Sequence, residues 1–84
     1  MKTLASHNGF DLVRAFIGDY HVVDTRDNRV SATINFSFER GRYYGQTCTQ
    51  KEPMIAVELW DMWLMVSEKC KMDLRSSICG GTMA

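Results

Sequence analysis

Between Val30 and Glu39 the chain alternates without a break, with Val30, Ala32, Ile34, Phe36 and Phe38 set against Ser31, Thr33, Asn35, Ser37 and Glu39. A period of two held over such a stretch predicts a strand with one buried and one polar face. Upstream, Tyr20–Thr25 is rich in β-formers and predicts another strand, joined to the first through the polar turn Arg26-Asp27-Asn28-Arg29. Downstream, Arg40-Gly41 predicts a tight hairpin, because Gly accepts the positive φ that such a turn needs. With those two residues as the loop, Phe38 opposes Tyr43, Phe36 opposes Gly45 and Ile34 opposes Thr47. Tyr43 then points inward, and Tyr44 points outward beside Ser37.

Two other stretches carry a helical period. Phe10, Val13, Phe16 and Ile17, joined by Leu12, fall on one arc, with Asn8 placed to cap and Gly18 placed to stop. They predict a short first helix over Gly9–Ile17. The second stretch is Glu52–Lys71, EPMIAVELWDMWLMVSEKCK, which holds both tryptophans and three of the six methionines. Thr49 and Glu52 have capping-box spacing, and Pro53 fits the first turn of a helix. On a helix its apolar residues spread over about 220°, against roughly 100° for an ordinary surface helix. Ile55, Leu59, Met62 and Val66 form the stripe expected against the strand Val30–Phe38. Trp60, Trp63, Leu64 and Val57 continue beyond it, and Met54 and Met65 stand among Glu58, Asp61, Glu68 and Lys69.

The expected fold is therefore α+β: helix, three-stranded antiparallel meander, helix, with both helices on the apolar face of the sheet. The other face, with Thr33, Asn35, Ser37, Gln46 and Tyr44, is expected to be solvated. Residues 1–84 read as one domain with a core over about 8–72, a loose lead-in at Met1–His7 and a tail at 73–84 anchored by Leu74 and Ile78.

Composition narrows the function classes. Ten basic residues balance ten acidic ones, so net charge draws the chain to neither nucleic acid nor an anionic membrane. An apolar content of 45% suits a folded globule. No apolar run reaches the roughly 18–20 residues of a membrane span, and MKTLASHNG lacks the apolar segment of a signal peptide. Cys48, Cys70 and Cys79 are an odd number without CxxC spacing, which fits free thiols in a reducing cytoplasm.

The chemical readings fare no better. Scattered cysteines and the distant His7 and His21 lack the paired spacing of a zinc site, so no metal or other cofactor is expected. Glu58 and Asp61 share a helix face but read, with Glu68 and Lys69, as its solvated side. No Gly-rich loop is placed to cradle phosphate, and nothing local activates a thiol, so an enzyme is disfavoured. The element order is that of double-stranded-RNA-binding domains. Their lysine cluster at the start of the final helix is replaced here by Gln50-Lys51-Glu52-Pro53, which disfavours nucleic acid.

Two segments resemble a known group. GFDLVRAFIGDY is similar to the opening helix of small phage-encoded accessory proteins, the phage ABA sandwich and NinX-like group, through Asp11, Leu12-Val13, Ala15, Gly18 and Tyr20. TQKEPMIAVELWDMWLM resembles their closing helix through Pro53, Met54 and Ala56. The matches cover about a third of the chain and are mostly apolar. The middle departs, with a hairpin where that group carries a helical segment with a Trp. The resemblance implies a bacteriophage or prophage protein acting in the bacterial cytoplasm, and no catalytic residues come with it.

The reading is a non-enzymatic protein-binding module that modulates or inhibits a host protein, a host enzyme or defence component. Its expected contact residues are Trp60, Trp63, Leu64, Tyr44 and Met65, because large aromatics dominate interface energetics. The alternatives are a nucleic-acid-binding domain using the basic hairpin ends and a protein whose surplus apolar surface joins two copies of itself.

Overall fold

The structure is a computed structural model that describes residues 2–81, with side chains through Met72. It corrects the expected architecture: six strands come first and one helix last, in place of a helix, three strands and a helix. The strands are β1 (Lys2–His7), β2 (Phe10–Phe16), β3 (Asp19–Asp24), β4 (Arg29–Ser37), β5 (Arg42–Thr47) and β6 (Met54–Ala56), followed by α1 (Leu59–Gly81). They form a single antiparallel meander in the order β1-β2-β3-β4-β5-β6.

The first expected helix is β2, and the lead-in is β1. What turns the chain between them is Asn8-Gly9, with φ of 57° and 85°. Positive φ at both central residues is the mark of a type I′ hairpin, which Asn-Gly adopts at low cost. Asn8 therefore starts a second strand where the sequence suggested a helix cap. Phe10 and Leu12 alternate onto the buried face as strand residues do. A register shift between Arg14 and Phe16 then moves Phe16 out of phase, producing the spacing that resembled a helical arc.

The second correction concerns Glu52–Lys71. Met54–Ala56 is the sixth strand, paired through Tyr43↔Ala56, Tyr44↔Ile55 and Gly45↔Met54, and the helix begins only at Leu59. Pro53 thus precedes a short edge strand, a place that Pro also tolerates. The expected tail is helical to Gly81, while its anchors Leu74 and Ile78 lie outside the residues whose side chains are described.

The hairpin between β4 and β5 has a four-residue turn, Phe38–Gly41, closed by Gly41 N–H donating to the Ser37 carbonyl at 2.7 Å. Phe36 opposes Tyr43, Ile34 opposes Gly45 and Ala32 opposes Thr47, two residues away from the expected pairing. An even slip preserves the faces, so Tyr43 still points toward the helix and Tyr44 away from it, now beside Asn35.

The core lies between the sheet and α1, which packs over β5, β6 and β4. Phe10, Leu12, Val22, Ala32 and Ile34 supply the sheet side, and Met62, Trp63, Val66 and Cys70 the helix side. Gly45 lets the helix come this close. A Cβ there would run into the Met62 sulfur and approach Val66 Cγ2 to 2.7 Å. Further along α1, Asn8 Nδ2 donates to Glu68 Oε1 at 3.1 Å, tying the helix to the first hairpin.

Candidate functional site

Among the described side chains of α1, those that cover the core occupy one side of the helix. At 100° per residue, Met62, Val66, Leu59, Cys70, Trp63 and Ser67 span an arc of about 140°, the width of one packing surface. Trp63 falls inside that arc and is wholly buried, so it belongs to the core and not to an exposed flank. Its indole N–H has no acceptor among the described residues. Trp60 lies outside the arc and is 57% exposed, with Leu64 one turn further on and Met65 also exposed. Tyr44 stands on the opposite face of the sheet, half-buried, where its hydroxyl accepts a 3.3 Å bond from Arg40 Nη1. The five expected contact residues therefore do not form one surface.

A different grouping emerges from the topology. In an antiparallel meander the connections alternate between two ends of the sheet. Asn8-Gly9, the loop over residues 25–28 and the segment over residues 48–53 lie at one end, and none of them holds a large apolar residue. The turns at Ile17-Gly18 and Phe38–Gly41 and the step from β6 into α1 lie at the other. There, Phe16 (75% exposed), Ile17 (76%) and Phe38 (74%) project from the two turns, and Val57 and Trp60 are also exposed where the helix begins. Turn positions usually carry Gly, Asn, Asp, Ser or Pro, and the meander does not require an Ile or a Phe there.

The two turns are held together. Phe36 N–H donates to the Gly18 carbonyl at 2.7 Å, and the Phe38 ring lies over Gly18, whose φ is 79°. Phe36 meets Phe38 edge-on with ring centroids 5.0 Å apart, and Tyr43 stacks obliquely on Phe36 at 4.8 Å. Behind them, burial raises the pKa of the Tyr43 phenol, and the neighbouring Tyr20 adds to that shift. The apolar end thus rests on a fixed aromatic base. Its charges are mixed: Arg14, Arg40 and Arg42 stand among Asp19, Glu39, Glu58 and Asp61, and the Asp19 carboxylate accepts from Asn35 Nδ2 at 2.6 Å. Sequence periodicity could not show this grouping, because its members come from three separate connections. The one signal in the sequence is the placement of Ile17 and Phe38 near Gly18 and Gly41, where turn chemistry favours polar residues.

The other end is polar and self-paired. Asp24 is buried, and Arg26 donates to it through its backbone N–H at 2.9 Å, Nε at 3.2 Å and Nη2 at 2.9 Å. The Arg26 side-chain bond holds the carboxyl below the ordinary value of 3.8, against a smaller opposing effect of desolvation. Of the residues weighed for metal or nucleophilic chemistry, Cys48 is exposed and Cys70 is in the core. His7 lies 4.0 Å from Glu68, and His21 is on the face away from the helix. Among the described residues, no three His, Cys, Asp or Glu side chains converge on a point. No helix among them is long and apolar enough to cross a membrane.

The fold and this end define a class: a six-stranded antiparallel meander, backed on one face by a C-terminal helix, with one end of the sheet apolar. Comparison with protein-family models, with characterised proteins and with solved structures finds no match.

Proposed function

We propose that the chain is a non-enzymatic protein-binding module that docks through the apolar end of its sheet, with Phe16, Ile17, Phe38 and Trp60 as the anchoring side chains. The observation that carries this reading is the contrast between the two ends: three connections expose large apolar side chains at one, and three polar connections stand at the other. None of these residues belongs to the buried core, so their placement at and beside the turns is better explained by a contact outside the chain. Interleaved charges of both signs supply no field for a polyanion, whereas they suit the mixed rim of a protein interface. Phe38, held against Phe36 and Gly18, loses little conformational freedom on docking, which is what an anchor residue needs. The bacteriophage setting rests on the sequence resemblance alone, since the segment that matches that group's opening helix is β2 here.

The test is capture of partners from a bacterial lysate by the wild-type chain, by Ile17→Ser/Phe38→Ser and by Trp60→Ala, with each variant's fold checked by circular dichroism. A partner held by the wild type and released by both folded variants supports the reading. A partner held equally by all three refutes the assignment of this end. If light scattering shows that the captured partner is a second copy, the same surface serves self-association.

A further inference from the structure

Near the polar end, the face of the sheet away from α1 is indented by an open groove of about 340 Å³ between β4, β5 and the segment that follows β5. Its lining includes Val30, Ser31, Thr33, Gln46, Cys48 and Gln50, and no lining residue carries a charge, although Arg29 and Lys51 adjoin it in sequence. The wall is stitched in place. Gln46 Nε2 donates to the Gln50 carbonyl at 2.8 Å, and Gln50 Oε1 accepts from Thr47 N–H at 3.1 Å. Cys48 N–H donates to the Ser31 carbonyl at 3.2 Å, extending the ladder into the loop.

Those bonds determine what each carboxamide has left to offer. Gln46 has used a donor and keeps its oxygen as an acceptor, and Gln50 has used its acceptor and keeps its NH2 donors. Ser31 and Thr33 add hydroxyls that can do both, and Val30, 49% exposed, adds an aliphatic patch. An ion entering the groove would give up hydration without meeting a counter-charge. A neutral ring with adjacent hydroxyls matches it, since each hydroxyl donates and accepts at once while the C–H face covers an aliphatic side chain. The volume is at the small end of the range for ligand sites.

We propose that this groove binds an uncharged sugar ring through adjacent hydroxyls, as a site separate from the apolar end. The ring can come from a free or glycan-terminal monosaccharide or from the ribose of a nucleoside. The test follows the Gln46 and Gln50 side-chain amide signals of the ¹⁵N-labelled protein during titration with the methyl glycosides of glucose, galactose and mannose, and with adenosine. The expected result is a saturable shift confined to groove signals with at least one probe, and slower alkylation of the Cys48 peptide by iodoacetamide at the same concentration. A response to a glycoside alone assigns the glycan source, and a response to adenosine alone assigns the nucleoside source. Thr33→Val keeps the branched strand-forming shape and should weaken that binding about 3- to 10-fold, as loss of one hydrogen bond does. A phosphorylated form of the responding probe should bind no more tightly. The proposal is overturned if no probe gives a saturable shift, or if Thr33→Val and Ser31→Ala both bind as the wild type does.

Discussion

Replacing Gly45 with Ala measures how closely the helix sits on the sheet. Two effects oppose each other. Removing a glycine from a strand interior restricts the unfolded chain and should stabilise the protein by about 0.5–1 kcal/mol. Against this, the new methyl lands on Met62 and Val66, with Val66 Cγ2 only 2.7 Å away. Met62 is a flexible side chain but wholly buried, and Val66 is equally buried and held by its β-branch in essentially one helical rotamer. Overpacking of this kind costs about 1–3 kcal/mol, so the net loss should be about 1–2 kcal/mol. In urea, with a slope near 1 kcal/mol/M for a chain of this size, the midpoint should fall by roughly 1–2 M at constant slope. By thermal melting the shift should be about 5–15 °C. The second arm adds Val66→Ala, which alone opens a cavity but in the Gly45→Ala background makes room for the added methyl. The double variant should be more stable than the sum of the single losses by about 1 kcal/mol, the coupling expected of touching residues. If Gly45→Ala is neutral or stabilising, or if the two losses simply add, the close approach of α1 to β5 is wrong.

Two further predictions follow from burial and charge. Trp63→Ala should cost about 3–5 kcal/mol, whereas Trp60→Ala should change stability by less than about 0.5 kcal/mol; equal losses in denaturant melts would mean that the helix is rotated from the orientation described. Asp24 has a folded-state pKa below its ordinary value, so its stabilising contribution is fully present above that ordinary value and is lost as pH falls through the folded one. The stability gap between wild type and Asp24→Asn should therefore be constant near neutrality and narrow in acid, and a gap that stays constant down to the acid-unfolding region would rule out the Arg26 pairing as its source.

Legibility in the sequence depends on whether periodicity and turn chemistry point the same way. In β4 they agree, and the strand is readable to within two residues at its ends. In β2 they conflict. Asn8-Gly9 marks a hairpin, but apolar residues on both faces and the shift at Ala15 give Phe10, Val13, Phe16 and Ile17 a helical spacing. At Met54–Ala56 three residues are too few to show any period, and Pro53 is as much at home before an edge strand as in a helix start. The pairing of Tyr43 with Ala56, which decides the matter, is a long-range fact. The two tryptophans are separable only once the covered arc is known, because positions three apart can lie on either side of its boundary. The apolar end is unreadable for a further reason: its residues are neighbours through strand order, which the sequence does not spell out.

The meander also sets an order of assembly. Each strand pairs only with its neighbour in the chain, so every sheet contact closes a short loop and hairpins can zip in succession from the N-terminus. The layer that keeps Phe10, Leu12, Val22 and Ile34 dry comes last, from residues at and beyond Leu59. During synthesis on a ribosome the sheet is therefore finished in outline while one of its faces is still wet and adhesive. Docking of the helix is what buries that face, and slowing it, as a charge at Val66 would, should lengthen the interval in which chaperones or neighbouring nascent chains can capture the face.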